Sequence, residues 1–85
     1  MKKIWHDEAW DQFCDIIRTN ARMAKRIQLL VQSIDRNGYS CIGNPEPLKG
    51  NLSGWWSVRI DAANRIVFRI ADDALEIYSC AGHYE

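Results

Sequence analysis

The sequence predicts an α+β domain: a short N-terminal strand, a two-helix hairpin, and a twisted antiparallel β-sheet against which the hairpin packs. Three observations carry this. Apolar residues recur twice at helical spacing in the first half of the chain, the period changes to two after Gly54, and 85 residues leave room for one domain only, residues 1–85.

The first element is a short strand, Lys2-Lys3-Ile4-Trp5. Asp7 then reads as a helix N-cap, with Glu8 and Asp11 favourably placed in the first turn. Trp10, Phe13, Cys14 and Ile17 follow as one amphipathic stripe, interrupted at Thr19-Asn20. A second stripe runs through Met23, Ile27, Leu30, Val31 and Ile34, and Asn37-Gly38 is a C-terminal stop. Arg18, Arg22, Lys25 and Arg26 fall mostly off these stripes, which gives the hairpin a basic outer side, either solvated or set against RNA phosphates.

Between residues 38 and 54 the periodicity vanishes, and Pro45-Glu46-Pro47 marks a long irregular connection of the kind that often carries function. Beyond it, Trp56, Val58 and Ile60 alternate with Trp55, Ser57 and Arg59, and Ile66, Phe68 and Ile70 alternate with Arg65, Val67 and Arg69. A third run, Leu75 to Cys80, follows Asp72-Asp73. These are three antiparallel strands joined by short turns. Trp5, Trp10 and Trp56 read as core. Trp55 lies on the Arg59 side, either stacking on a base or packing under the long loop.

Composition bounds the function. With 47% hydrophobic and 26% charged residues and four tryptophans, the chain has the makings of a core that buries roughly 60% of its extended surface. Cys14, Cys41 and Cys80 are odd in number and form no CxxC pair, and no signal peptide is visible. A reduced cytoplasmic protein without disulfides, a cysteine zinc site or a membrane span is expected. Eleven basic and eleven acidic residues cancel, which speaks against a strong field for nucleic acid. Within residues 46–69, however, Lys49, Arg59, Arg65 and Arg69 outnumber Glu46 and Asp61.

Strand register brings polar residues together. Keeping both apolar sets on one face requires an odd-length loop or a bulge around residues 61–64, and one register that meets this condition places Arg59 opposite Arg65. A two-residue Asp72-Asp73 turn then pairs Arg69 with Glu76, Val67 with Tyr78 and Arg65 with Cys80. Arg69 thus gains an ordinary salt-bridge partner, and Arg65 is carried to the end of the last strand, three residues before His83. Two directly opposed arginines destabilise a strand pair unless an anion lies between them, and phosphate fits the rigid fork of donors that arginine presents.

Several stretches together resemble the YoeB (Txe) branch of the RelE/ParE toxins. They are Ile4-Trp5 with Glu8-Ala9-Trp10, Gly43-Asn44-Pro45-Glu46-Pro47-Leu48-Lys49, Asn51-Leu52-Ser53-Gly54-Trp55-Trp56-Ser57, Arg59-Ile60, Asn64-Arg65-Ile66-Val67-Phe68, Cys80, and His83-Tyr84. The resemblance covers the chain in order and implies a RelE-like fold. It also implies a ribosome-dependent, metal-independent mRNA endonuclease that needs no cofactor, is neutralised by a cognate antitoxin and forms a homodimer. On it Glu46 matches the general base, His83 the general acid, Arg65 the phosphate-stabilising residue and Tyr84 the terminal aromatic that orients substrate, with Lys49 and Arg59 as further basic residues of the cleft. Two departures stand out: Ala81-Gly82 replaces bulkier residues before His83, and Glu85 adds a carboxylate after Tyr84.

The chemistry is consistent with those residue types. Internal attack on RNA needs a base for the 2′-OH, positive charge on the phosphate and an acid for the leaving 5′-oxygen. Bland readings stand beside each: Glu46 as a solvated loop residue, His83-Tyr84 as a frayed end, His6 as a surface or capping residue. Two rival functions remain open. One is a gyrase poison on the same fold, which has no use for an acid–base pair. The other is a catalytically silent RNA- or antitoxin-binding module, favoured by the zero net charge and Gly82.

Overall fold

The computed structural model describes residues 1–82; His83, Tyr84 and Glu85, named above as acid, aromatic and extra carboxylate, lie outside the described residues. The elements run β1 (Lys2–Trp5), α1 (Asp7–Thr19), α2 (Ala21–Asn37), β2 (Glu46–Pro47), β3 (Trp56–Arg59), β4 (Arg65–Ala71) and β5 (Ala74–Ser79). They form one five-stranded sheet in the order β1-β5-β4-β3-β2, with both helices contributing to the core on one face. The α+β class and the helical hairpin are as the sequence predicts. The sheet is mixed rather than wholly antiparallel, because β1 joins β5 in parallel while the other three pairings are antiparallel. Alternation of residue type reports a strand's faces and not its direction, so the sequence holds no sign of this. No helix is long and apolar enough to cross a membrane among the described residues.

The first helix differs in detail from its predicted stripe. Its buried residues are Ala9, Phe13 and Ile16, whereas Trp10 and Ile17 are each 50% exposed. Trp10 is therefore not a core residue; it flanks the core, edge-on to Trp5 at 5.8 Å. The reason is steric. A small residue, Ala9, faces β5 and lets the helix close on the sheet until the Cys80 thiol reaches the Ala9 carbonyl at 3.4 Å. Asp7 is the first helical residue, and His6 occupies the N-cap position without a side-chain capping bond. The His6 N–H instead extends the β1–β5 ladder to the Ile77 carbonyl at 2.9 Å, and its imidazole goes to Glu76.

The second helix follows expectation closely. Asn20 caps it by accepting from the Met23 N–H, the residues Ala24, Ile27, Leu30, Val31 and Ile34 are buried, and Gly38 ends it with a positive φ of 60°.

Strand register decides which residues share the face turned away from the helices. β3 pairs with β4 as predicted, Trp56 opposite Phe68 and Arg59 opposite Arg65. The connection is five residues long, odd as the register demands, and is built on Asp61. Its Oδ1 accepts from the Ala63 and Asn64 N–H groups at 2.8 Å each, which holds the Asp61 carboxyl below the usual carboxylate range. The Asp72-Asp73 turn has φ of 52° and 62°, the left-handed pair that a two-residue hairpin needs, and it sets Arg69 opposite Glu76.

Beyond that point the register slips. Ile77 still pairs with Phe68, but Val67 pairs with Ser79, so Tyr78 is the extra residue of a β-bulge. The expected Val67–Tyr78 and Arg65–Cys80 pairs are thereby overturned. The bulge moves Cys80 across the sheet into the core, where it is fully buried and its thiol is pushed up to about 12 by desolvation. Without the bulge Cys80 stands on the opposite face.

Candidate active site

Glu46 and Arg65 come from distant elements and meet on the face away from the helices. Glu46 belongs to an edge strand of two residues rather than to irregular loop, and it pairs with Ser57. The strand is short because Pro45 and Pro47 restrict it, and an edge is where proline is tolerated. Two anchors hold it down. Gly43, at φ 96°, passes so close to the core that a Cβ there stands 2.7 Å from Leu30 Cδ2 and 3.1 Å from Val58 Cβ. Its carbonyl accepts from the Arg59 N–H at 2.7 Å. On the other side Leu48 is buried and its N–H reaches the Trp55 carbonyl at 2.9 Å.

Arg65 is the diagonal neighbour of Ser57 across the β3–β4 pair. Its residue exposure is only 7%, and Nη1 donates to Ser57 Oγ at 3.1 Å while standing 3.9 Å from Glu46 Oε2. The longer distance is an electrostatic contact and not a hydrogen bond. The guanidinium is thus desolvated and held by a neutral hydroxyl, with a carboxylate that is itself 54% exposed alongside. The Asn44 amide holds the other Glu46 oxygen at 3.3 Å.

The backbone of Arg65 fixes the approach to the chain end. Its N–H donates to the Gly82 carbonyl at 2.9 Å, and the Gly82 N–H donates to Asn64 Oδ1 at 3.0 Å. The predicted proximity of Arg65 to the tail therefore holds as far as Gly82, by a route that differs from the predicted Cys80 pairing. Arg59 lies directly opposite Arg65 but is exposed, while Arg65 turns along the sheet toward Ser57 and Glu46. This divergence relieves the opposition of like charges. Lys49 is exposed two residues past the edge strand, and neither it nor Arg59 makes an ion pair among the described residues.

Sequence reasoning missed Ser57, Asn64 and Asn44, the residues that hold Arg65, the tail and Glu46. Register carried the signal for Ser57, since a serine diagonal to a buried arginine is a natural partner for it. The row of Ser57, Val67 and Ser79 is buried beside Arg65, and Ser79 Oγ has no hydrogen-bond partner among the described residues.

A second polar cluster occupies the same face further along the strands. Glu76 accepts from Arg69 Nε at 2.7 Å and lies 2.6 Å from His6 Nε2. The bond from His6, and then that from Arg69, holds the Glu76 carboxyl below its ordinary value. The Arg69 guanidinium also lies over the Trp55 ring at 4.4 Å. Tyr78 and His6 close around Trp55 at 5.3 and 5.7 Å between centroids. No group of three or more His, Cys, Asp or Glu side chains is arranged to hold a metal ion among the described residues.

Comparison with known proteins gives this geometry a family. The chain is 47% identical over 81 residues to Toxin YoeB of Synechocystis sp., covering 95% of this chain and 88% of that one. To Toxin YoeB of Escherichia coli K12 it is 43% identical over 84 residues, covering 99% and 100%. A YoeB/ParE toxin from Agrobacterium tumefaciens superposes with a TM-score of 0.95 at 40% identity, covering 99% and 100%. A YoeB–YefM complex from Staphylococcus aureus matches at TM-score 0.91 and 38% identity, and a YoeB dimer from the same organism at 0.92 and 36%, each covering 99% of this chain and 98% of the other. Residues 5–84 match the family described as YoeB-like toxin of bacterial type II toxin–antitoxin system, and the chain belongs to that family.

Proposed function

We propose that this chain is the toxin of a type II toxin–antitoxin pair and acts in the cytoplasm as a ribosome-dependent, metal-independent mRNA endonuclease. The observation that supports this best is the desolvated Arg65 guanidinium 3.9 Å from the exposed Glu46 carboxylate. That spacing suits one group on a phosphate oxygen and the other on the hydroxyl that attacks it.

In this reading Glu46 takes the proton from the 2′-OH of the nucleotide before the cut. The 2′-oxygen attacks phosphorus, and charge builds on the non-bridging oxygens next to Arg65. A buried guanidinium is worth more there than a solvated one, because little water reorganises during the step. His83 protonates the departing 5′-oxygen, so the bond to phosphorus breaks as that of the 2′-oxygen forms. The products are a 2′,3′-cyclic phosphate, opening to a 3′-phosphate, and a 5′-hydroxyl. Gly82, tied to Arg65 and Asn64, immediately precedes His83 in the chain. Tyr84 orients the substrate, and Lys49 and Arg59 bind flanking phosphates.

A cognate antitoxin and a second copy of the chain are the expected protein partners, by analogy with the S. aureus YoeB–YefM complex and YoeB dimer. The half-exposed Trp10 and Ile17 on α1 supply apolar surface of the kind that partners cover. The test is to map new mRNA 5′ ends on translating ribosomes after induction of wild type, Glu46→Ala, Arg65→Ala and His83→Ala. Intact mRNA with arrested DNA replication supports a gyrase poison instead, and intact mRNA with tight antitoxin binding supports a silent binding module.

A further inference from the structure

The Arg69–Trp55 stack is positioned beyond the needs of an ordinary salt bridge. Arg69 already has Glu76 at 2.7 Å, which anchors Nε. Its guanidinium carbon lies over the Trp55 ring, 4.4 Å from the centroid, and the side chain remains 43% exposed. The indole is in turn braced by Tyr78 and His6. The result is a braced cation–π pair that stays partly open to solvent.

Its place on the sheet matters. Arg65, Val67 and Arg69 alternate along β4 and share the face that carries Glu46 and Ser57. At the rise of a strand, Arg69 stands about 13 Å from Arg65 along the backbone. A short extended stretch of single-stranded RNA bridges such a gap.

We infer that the Arg69–Trp55 stack is a nucleobase-binding platform, which takes a base close to the cut and sets a preference for the nucleotide there. This rests on the reading of Glu46 and Arg65 as an RNA-cleaving site. An unstacked base lies against the outer face of the guanidinium, sandwiching Arg69 between base and indole. The Nη1 and Nη2 N–H bonds lie in the guanidinium plane and are donors for the edge of a neighbouring base. Glu76 lowers the net charge of the platform and so favours a stacked base over a bare phosphate contact.

Two measurements test this on ribosome complexes programmed with defined mRNAs. In the first, cleavage is compared for wild type, Trp55→Leu and Arg69→Lys across all four nucleotides at each position of the decoded codon. Both substitutions are expected to lower kcat/KM about tenfold, chiefly through KM, and to flatten the preference at one position. Arg69→Lys keeps the charge and the partner Glu76, so a purely ionic role predicts little change. In the second, mRNA carrying 2-aminopurine at successive codon positions is bound by the Glu46→Ala protein. Quenching at one position that disappears with Trp55→Leu supports the platform even if wild type proves unable to cut RNA, which sinks the nuclease reading alone. Unchanged preference in both variants together with unchanged quenching overturns the platform.

Discussion

Arg65 Nη1 donates to Ser57 Oγ at 3.1 Å, and both residues are buried on a sheet face that carries the Glu46 carboxylate. A charged group desolvated to this degree needs every partner it has. Ser57→Ala is therefore expected to cost about 1–3 kcal/mol in urea unfolding. It is also expected to lower RNA cleavage more than Ser57→Thr, which keeps the hydroxyl. Equal activity of the two variants argues that Ser57 supports the fold and not the aim of Arg65.

Gly43 is expected to tolerate no side chain. Its φ of 96° and the 2.7 Å approach of Leu30 Cδ2 to the position of a Cβ make Gly43→Ala both strained and overpacked. A loss of roughly 2–4 kcal/mol is expected from these two effects together. Because Gly43 anchors the segment that carries Glu46, activity is expected to fall further than the melting curve alone explains. Gly50, which has open space around it, is the control: Gly50→Ala meets only the cost of its own positive φ.

Much of this arrangement was legible in the sequence, and the exceptions have physical causes. Alternating hydrophobicity restricts β3 and β4 to registers that keep the core inward, one of which sets Arg59 opposite Arg65, and the two-residue Asp72-Asp73 turn sets Arg69 opposite Glu76. It failed at Tyr78, since a bulge adds a residue without leaving a marker in a run as short as Tyr78-Ser79-Cys80. Trp10 lies off the core because close packing of α1 on the sheet calls for the small Ala9, so bulk by itself is no sign of burial. Glu46 could be set beside Arg65 only by resemblance, since a two-residue edge strand between prolines has no period to read. The single-domain reading of residues 1–85 stands as an expectation.

The Glu76 cluster is expected to show in the acid limb of stability. Its carboxyl binds a proton more weakly in the folded protein than in the unfolded chain, through the bonds from His6 and Arg69. Its contribution is therefore complete above the unfolded value of about 4.3 and is lost as pH falls through the lower folded value. Asp35 and Asp61 are depressed in the same direction, so the difference between wild type and Glu76→Gln isolates Glu76. Urea midpoints measured from about pH 6 down to about pH 2.5 should differ at the top of that window and converge at the bottom. A constant difference throughout contradicts the assignment.

Thiol chemistry offers a check on the bulge. Cys80 is fully buried with its thiol pushed up to about 12, Cys41 is buried and also raised, and Cys14 is partly exposed. Ellman's reagent at about pH 8 is expected to modify Cys14 first and to reach the other two only on unfolding. Rapid labelling of Cys80 in the native protein means that β5 runs straight and the thiol faces out.

In the proposed reaction Glu46 and Arg65 act on one phosphate, with His83 as the acid. Its most direct test is the rate of mRNA cleavage on programmed ribosomes by wild type, Glu46→Ala, Arg65→Ala and His83→Ala, with the cut ends identified chemically. Wild type is expected to leave 2′,3′-cyclic or 3′-phosphate and 5′-hydroxyl ends, and each folded variant to lose about 10²–10⁴-fold in rate. Cleavage at the wild-type rate by all three variants, or no cleavage by wild type, contradicts it.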